Sequence, residues 1–183
     1  EMLSGDWSSD VCSSDLVGKP SETHHKDGLA PVTANKYLKR VRYGNKVMGS
    51  TTPTDFCLEL VFDYGEHTSN TPTEAVPWPC RQDMYSSFRP GFELRTYRLC
   101  RRVLMFHRFS ELAPNPTLVR SLDLTYQENK RFSKLTSAQL RGYQHNGATY
   151  DSATLPPVSF SYTADTFSKS IKDLGQTELG DDY

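Results

Sequence analysis

Apolar and polar residues alternate with a period of two along several short stretches of the chain, the pattern of strands that bury one face. The clearest stretch is 55–64. One of its faces is entirely apolar, and we expect it to be buried: Phe56, Leu58, Leu60, Phe62 and Tyr64. The other face, which we expect to be partly exposed, holds Cys57, Glu59, Val61 and Asp63. Further strands are predicted over 37–43, 117–126, 132–143 and 155–162.

The longest stretch with strand character is 91–109, nineteen residues with no turn-forming residue after Gly91. A fully extended run of this length would reach about 60 Å, several times the length of a usual strand. Its apolar residues shift from even positions, such as Leu94, to odd positions, such as Tyr97 and Val103. Because side chains alternate strictly along a strand, we predict one long strand or two strands in line, with a bend, a bulge or a change of buried face near Thr96.

The connections between these stretches indicate the topology. A short turn at 113–116 joins two of them, and short links are typical of antiparallel neighbours. The longer connection 65–89 contains three prolines, and Trp78 is expected to anchor it. No long amphipathic helix and no repeat of fixed period is visible, so we predict an all-β antiparallel meander over residues 35–163. Residues 1–34 are interpreted as a disordered leader and loop, and 164–183 as a polar tail.

Residues 6–16 resemble a translated short-read sequencing adapter, and we expect them to be an artefact rather than part of the fold. Setting this segment aside removes three aspartates and moves the formal net charge from -1 to +2. The charge stays near neutral, whereas nucleic-acid-binding modules are usually strongly basic. No apolar run approaches the roughly 20 residues needed to cross a bilayer, and nothing near the start has the pattern of a signal peptide.

Three cysteines remain outside that segment: Cys57, Cys80 and Cys100. An odd number at irregular spacing matches neither a closed disulfide framework nor a zinc motif. Cys57 and Cys100 fall in predicted strands and are most simply small buried hydrophobes, while a bridge between them remains open. So few cysteines fit folding in a reducing cytoplasm, with any later export handled by other machinery.

Four strings, in the same order along the chain, closely resemble the SpvB-like family, which includes the Salmonella virulence-plasmid protein and the B component of insecticidal toxin complexes. They are 35–45 (NKYLKRVRYGN), 60–67 (LVFDYGEH), 81–107 (RQDMYSSFRPGFELRTYRLCRRVLMFH) and 155–162 (LPPVSFSY). Four ordered strings are far more specific than one. The resemblance covers roughly 35–162.

The resemblance implies a structural role. In the toxin-complex B component, the SpvB-like region is similar to a β-rich wall segment of a hollow shell that encloses a cytotoxic enzyme. The chain is then expected to be a non-enzymatic part of a larger, curved shell wall. Its implied partners are the remainder of its own polypeptide and a toxin-complex C-type Rhs protein, after synthesis in the bacterial cytoplasm and secretion. The alternative is a β-rich surface-binding module, for a glycan or a protein, of a secreted virulence factor.

Some SpvB relatives carry an ADP-ribosyltransferase domain with a Glu-x-Glu pair. No Glu-x-Glu occurs anywhere in this sequence. The resemblance therefore does not transfer that activity to this chain, and we expect no enzyme.

Six arginines in and before the long run are candidates for binding phosphates, with Tyr97 and Phe106 stacking on bases. They are Arg89, Arg95, Arg98, Arg101, Arg102 and Arg108. The competing interpretation pairs them with acidic residues of a sheet face, such as Glu59, Asp63, Glu93 and Asp123. The small net charge favours the pairing, and we expect no nucleic-acid partner.

The histidines lack the spacing of a helical metal motif. They are His24, His25, His67, His107 and His145. No two stand at i and i+4, so we predict no metal site and no cofactor. Asp63 with Glu66 and His67 would be an acid and base at a strand end, but such residues more commonly cap a turn. We predict no catalytic residue.

Three aromatic residues of the long connection, Trp78, Tyr85 and Phe88, are candidates for a sugar-binding or partner-binding platform. Packing against an adjacent domain is the favoured interpretation, since aromatic residues near prolines commonly anchor loops. With Arg95 and Arg98, these three are the residues for which partner binding is predicted.

Overall fold

The computed structural model of the chain describes residues 37–67, 70–71, 73–91 and 94–163, which form nine strands and a short 3-10 helix, Pro53–Asp55. The strands are β1 (Arg40–Asn45), β2 (Phe56–Asp63), β3 (Tyr85–Ser87), β4 (Leu94–Thr96), β5 (Arg102–His107), β6 (Thr117–Gln127), β7 (Lys134–His145), β8 (Tyr150–Thr154) and β9 (Val158–Ser159). None of the described residues belongs to a helix long and apolar enough to cross a membrane. The adapter-like segment, the predicted units 1–34 and 164–183, and the first two residues of the predicted β-domain, 35–36, lie outside the described residues.

Seven strands form one antiparallel sheet in the order β1-β2-β5-β6-β7-β8, with β9 also pairing with β7. β3 and β4 form a separate two-stranded antiparallel ribbon, inserted in the chain between β2 and β5. Apart from this insertion and β9, strands that are consecutive in the main sheet are consecutive in the chain. The predicted all-β antiparallel meander is confirmed.

The run 91–109 contributes strands to two different sheets, so the prediction of a single strand or two strands in line was wrong. β4 ends at Thr96, where the change of face was predicted, and pairs with β3, whereas β5 lies between β2 and β6 in the main sheet. Between them, Tyr97 is 5% exposed, and its backbone N–H donates to the Tyr37 hydroxyl at 2.7 Å. Its carbonyl accepts from the backbone N–H of Arg81 at 2.8 Å. These contacts fix the backbone at Tyr97, between β4 and β5, where the chain makes no strand pairing.

Burial along 55–64 matches the expectation at Phe56 and Tyr64, which are 1% and 8% exposed, and reverses it between them. The nearly inaccessible residues are Glu59, Val61 and Asp63, each at most 2% exposed, whereas Leu58, Leu60 and Phe62 are only partly buried. On the same side as Val61, the core of the main sheet contains Leu104, Phe106 and Leu118, with Tyr143 and Tyr150 packed against it. Alternation locates the strand but does not decide its inner face, because ion pairing allows carboxylates to be buried.

The sequence pattern does not predict β8, because four of its five residues are exposed and it has no apolar alternation. A hairpin turn links it to β7. There the Asn146 side-chain oxygen accepts from the backbone N–H groups of Ala148 and Thr149, and Gly147 has a φ of 96°. Asn-Gly is a strong hairpin signal in a sequence, and it marks this turn. The strand predicted at 155–162 is reduced to β9.

Candidate functional site

Aromatic packing anchors the long connection after β2 to the main sheet. The Trp78 ring stacks on Tyr64 with centroids 5.1 Å apart, and Tyr37 meets both rings edge-on. The Tyr64 hydroxyl donates to the carbonyl of Leu38 at 2.9 Å, and the Trp78 indole N–H donates to Glu74 at 3.0 Å. The anchoring role expected for Trp78 is confirmed.

A polar cluster lies beside these rings, with three buried members and one exposed member, Glu74. We term it the Lys39 cluster, and it consists of Lys39, Glu66, His67 and Glu74. The Lys39 ammonium forms an ion pair with Glu66, and both side chains are at most 1% exposed. The same ammonium lies 2.7 Å from His67 Nε2, 3.6 Å from Glu74 Oε1 and 4.7 Å from the centroid of the Trp78 ring. The Lys39 side chain, which comes just before β1, therefore contacts several residues of the long connection.

The contacts of His67 assign its tautomer. Nδ1 lies 3.1 Å from the carbonyl of Thr73, so it carries the proton and donates, which leaves Nε2 to accept from Lys39. Burial, together with the charge of Lys39, lowers the pKa of His67 to about 4. Burial also lowers the pKa of Lys39 to about 8, against the opposing effect of Glu74. At neutral pH the histidine is neutral and the lysine is charged.

This cluster has the donor atoms of a cation site. One ligand atom each from Glu66, His67 and Glu74 lies within 4.8 Å of the others. The Lys39 ammonium already contacts Glu66 and His67, so the protein supplies its own cation at this place. His107 instead packs against Phe109, and His145 packs against Tyr150, while His24 and His25 lie outside the described residues.

Asp63 caps the turn that opens the long connection, as expected from the sequence. Its Oδ1 accepts from the backbone N–H groups of Gly65 at 2.7 Å and His67 at 3.3 Å. Its Oδ2 accepts from Arg102 at 2.7 Å, and Arg102 also donates to the carbonyl of His67 at 2.6 Å. Because Asp63, Glu66 and His67 are at most 3% exposed, a substrate could not reach them as an acid and base. They join β2, β5 and the connection.

Glu59 is the centre of a second ion-pair cluster. Its carboxylate, which is 0% exposed, accepts from Arg40 at 3.1 Å, Arg42 at 3.0 Å and Arg108 at 2.5 Å. Burial alone would raise the pKa of Glu59. The hydrogen bond and charge of Arg108, together with the charges of Arg40 and Arg42, hold this pKa below its ordinary value.

Ion pairs between described residues involve several of the arginines considered for phosphate binding. Arg101 pairs with Glu128, Arg102 with Asp63 and Arg108 with Glu59. The last two acids are among those predicted, so the pairing interpretation is confirmed for them. Asp123 pairs instead with Arg141, and Glu93 lies outside the described residues. Phe106 is 0% exposed in the core and is not available to stack on a base.

The residues predicted to bind a partner do not form one surface. Tyr85 and Arg95 meet on the β3-β4 ribbon, where an open cleft of about 330 Å³ is lined by Met84, Tyr85, Ser86, Arg95 and Tyr97. Tyr85 is 55% exposed and Phe88 is 67% exposed. Trp78 belongs to the anchoring group, and Arg98, at 2% exposure, donates to the Cys80 sulfur at 3.0 Å. Arg98 is therefore an interior residue of this fold, although it was predicted for a surface.

An ion pair at Asp83 holds the chain before this cleft against the main sheet. Arg81 donates to both oxygens of Asp83, at 2.9 and 2.8 Å. The Ser133 hydroxyl donates to the same carboxylate at 2.8 Å, and its backbone N–H donates at 2.5 Å. The hydrogen bond from Arg81 is the main cause that holds the pKa of Asp83 far below its usual range.

The cysteines at the described positions are free thiols. Cys57, Cys80 and Cys100 are each partly buried, and no bridge joins Cys57 to Cys100. The Cys100 thiol donates to the carbonyl of Arg102 at 3.4 Å, and burial raises its pKa to about 11. Cys57 and Cys100 are therefore partly buried, whereas the sequence suggested that they are buried.

Sequence reasoning missed Lys39 and Glu74. Lys39 stands in a basic stretch with Lys36 and Arg40, which resembles an exposed strand edge. Its burial depends on Glu66, 27 residues further along the chain, and no local spacing records that contact. The string 60–67, which carries Glu66 and His67, is the nearest sequence signal of the cluster.

The fold and these clusters can now be compared with known proteins. The family model described as "Salmonella virulence plasmid 65kDa B protein", SpvB, matches residues 9–109, more than half of the chain. The chain belongs to the SpvB family. The mono(ADP-ribosyl)transferases SpvB of Salmonella typhimurium and Salmonella choleraesuis are each 40% identical to it over 129 residues. Each match covers 63% of this chain and 22% of the relative, so the SpvB-family chain spans about a fifth of these curated proteins.

Solved structures show the same relationship. The N-terminal domain of the effector SpvB from Salmonella typhimurium is 37% identical with a TM-score of 0.54, covering 70% of this chain and 42% of that one. The Tc holotoxin pore of Photorhabdus luminescens is 36% identical with a TM-score of 0.63, covering 79% of this chain and 7% of that one. A TcdB2-TccC3-Cdc42 structure is 33% identical with a TM-score of 0.65, covering 87% and 8%. The SpvB-family fold of this chain is thus similar to parts of a virulence effector and of Tc toxins.

Proposed function

We propose that this chain is a non-enzymatic structural segment of a toxin-complex B or SpvB-like virulence protein, and that it contributes strands to a shell that encapsulates or presents a toxic effector. The observation that carries the proposal is the similarity to Tc toxin chains at 33–36% identity over 79–87% of this chain. Each of those matches covers 7–8% of the toxin chain. A segment that corresponds to so small a fraction of a toxin chain would form one part of a much larger protein.

Two observations support a role without catalysis. The curated relatives are named as mono(ADP-ribosyl)transferases, but the match covers 22% of their length, and one similar structure is an N-terminal domain. The polar groups that would suit acid and base chemistry, Glu66 and His67, are occupied by Lys39 in the interior. Such a cluster holds a loop in place, and it leaves no path for a substrate.

The proposal implies two partners and a location. The first partner is the remainder of the polypeptide, and the second is a toxin-complex C-type Rhs protein, because TcdB2 has been solved together with TccC3. The protein would be made in the bacterial cytoplasm and then secreted, as expected for a toxin component.

Co-expression tests this function. The complete polypeptide encoded by the source gene is expressed with a C-type Rhs protein encoded beside it, and the purified material is imaged by electron microscopy. We expect the two to co-purify as a closed, hollow particle. The 183-residue chain alone should transfer no ADP-ribose from NAD to a protein acceptor. A complete polypeptide that stays monomeric and forms no shell, or transfer by the chain alone, would contradict the proposal.

The cleft on the β3-β4 ribbon favours a second candidate, a module that binds a glycan or a protein surface. The exposed Tyr85 ring, with the Arg81 guanidinium 5.2 Å from its centroid, would provide an aromatic platform. A glycan array probed with the 183-residue chain tests this candidate. Binding that is lost in Tyr85→Ala and kept in Phe88→Ala, with both variants folded by circular dichroism, would establish it. Phe88 is the matched control because it is exposed and does not line the cleft.

A further inference from the structure

We propose that the apolar outer face of the main sheet is a docking surface for a neighbouring β-rich part of the same polypeptide. The inference rests on the proposed function, which makes this chain one segment of a longer protein. We term this surface the apolar face. It consists of Val41, Leu58, Leu60, Phe62, Val103, Met105, Leu122, Leu124 and Leu140.

The pairing of the strands brings these side chains together. Directly paired residues of antiparallel strands lie on the same face of a sheet. Phe62 pairs with Val103, Val103 with Leu122, and Leu122 with Leu140, so one apolar row crosses four strands. A second row runs from Val41 through Leu60 to Met105 across three strands. The apolar face is therefore continuous.

The described part of the chain only partly covers this face. None of its nine residues falls in the buried class, and Leu122 and Leu140 are 38% and 37% exposed. The opposite face contains Val61 and Leu104, which are 0% exposed. Five strands about 4.8 Å apart and about 16 Å of strand length give the face a footprint of about 400 Å². The partly buried side chains leave only a part of this footprint accessible. Exposed apolar patches of this size are frequently interaction sites.

The surroundings of the apolar face resemble the rim of an interface. Arg120, which pairs with Met105, is exposed at its border. His107, which pairs with Leu58, has a buried Nε2 atom with no hydrogen-bond partner among the described residues. An apolar centre with polar groups at its border is the usual anatomy of a protein interface.

The area of the apolar face favours a neighbour on the same polypeptide over a separate protein molecule. Stable complexes of separate proteins bury about 800 Å² on each partner, roughly twice the footprint of this face. A neighbour on the same chain has an effective concentration in the millimolar range, so a smaller surface is sufficient to hold it. The match to the SpvB N-terminal domain covers 42% of that chain, so more than half of a similar domain lies outside the matched part. We therefore infer an intramolecular occupant rather than a second copy.

Cysteine labelling tests the inference. Leu122→Cys is introduced, after replacement of the native cysteines by serine, into both the 183-residue chain and the complete polypeptide. We expect a maleimide to label position 122 at least tenfold more slowly in the complete polypeptide. Ala148→Cys, at the exposed tip of the β7-β8 hairpin, is the matched control and should be labelled at similar rates in both. Leu140→Cys provides a second reading of the same face if Leu122→Cys fails to fold.

The outcomes separate this inference from the proposed function. Equal labelling of position 122 in a complete polypeptide that forms a shell would overturn the docking surface and leave the proposed function intact. A complete polypeptide that forms no shell would overturn the proposed function. Protection in the 183-residue chain that increases with its own concentration would identify a second copy as the occupant, and would also overturn the inference.

Discussion

At the scale of the residue, His67 links the stability of the fold to pH. The folded state holds it neutral with a pKa of about 4, against an ordinary value of 6.5. Between these values the unfolded state binds a proton that the folded state excludes. The contribution of neutral His67 is therefore complete above pH 6.5 and is lost as the pH falls towards 4, with a size of about 3 kcal/mol.

This dependence predicts the behaviour of a variant. Urea unfolding of the 183-residue chain should show a fall in stability between pH 6.5 and pH 4 that is smaller in His67→Gln, because glutamine does not titrate. The change to glutamine also lowers stability at pH 7, since it disturbs the contacts with Lys39 and Thr73. His145→Gln is the control and should keep the wild-type profile. Identical pH profiles for His67→Gln and the wild type would refute this role.

Glu59 gives a second prediction at the residue scale. Glu59→Gln removes the carboxylate shared by Arg40, Arg42 and Arg108, and should reduce the free energy of unfolding by about 3–5 kcal/mol. Asp123→Asn is the matched comparison. Its pair with Arg141 is partly exposed, so the loss should be about 1 kcal/mol or less. Urea unfolding measures both variants. Equal losses of unfolding free energy would show that the buried cluster stabilises the fold no more than the partly exposed pair does.

Sequence reasoning predicted some ion pairs between residues of the sheet, but it did not predict the burial of Lys39. The acids Glu59 and Asp63 were predicted to pair with arginines because the small net charge favours pairing over phosphate binding. Lys39 was not predicted, because a buried lysine has the same local pattern as an exposed one. Its environment is created by Glu66 and Trp78, which the long connection brings back to the sheet.

At the scale of the element, Gly65 controls how the long connection leaves β2. Its φ of 108° is unfavourable for other residues, and an added Cβ would lie 2.6 Å from Pro79 Cγ. Gly65→Ala should therefore reduce the free energy of unfolding by about 1–3 kcal/mol. Gly142→Ala, where the nearest atom would be 4.0 Å away, should cause no loss. Thermal unfolding followed by circular dichroism measures both, and a stable Gly65→Ala would mean that the connection can take another path.

Strand positions were predicted better than strand partners. Alternation located β2, β6 and β7, and the shift of apolar phase located the break at Thr96. It did not show that β4 leaves the main sheet, because that depends on β3, a three-residue strand inside a connection rich in proline. Alternation also left β8 undetected, since a strand exposed along most of its length has no apolar face.

At the scale of the whole molecule, the sheet buries charged residues and presents apolar ones. The interior face holds Glu59 and Asp63, while Leu122 and Leu140 point away from the core. The sequence pattern implied the opposite arrangement, because a strand was assumed to direct its apolar face to the core of its own segment. Under the proposed docking, the covering layer belongs to another part of the polypeptide, which a pattern within this segment does not encode.

The measurement that tests the central claim most directly is a cryo-electron microscopy reconstruction of the complete polypeptide with its C-type Rhs partner. The structural proposal predicts that residues 37–163 form the observed main sheet within the wall of a closed shell, with Leu122 and Leu140 covered by a neighbouring part of the same chain. A reconstruction in which this sheet projects from the particle as a separate module, with its apolar face open to solvent, would contradict it.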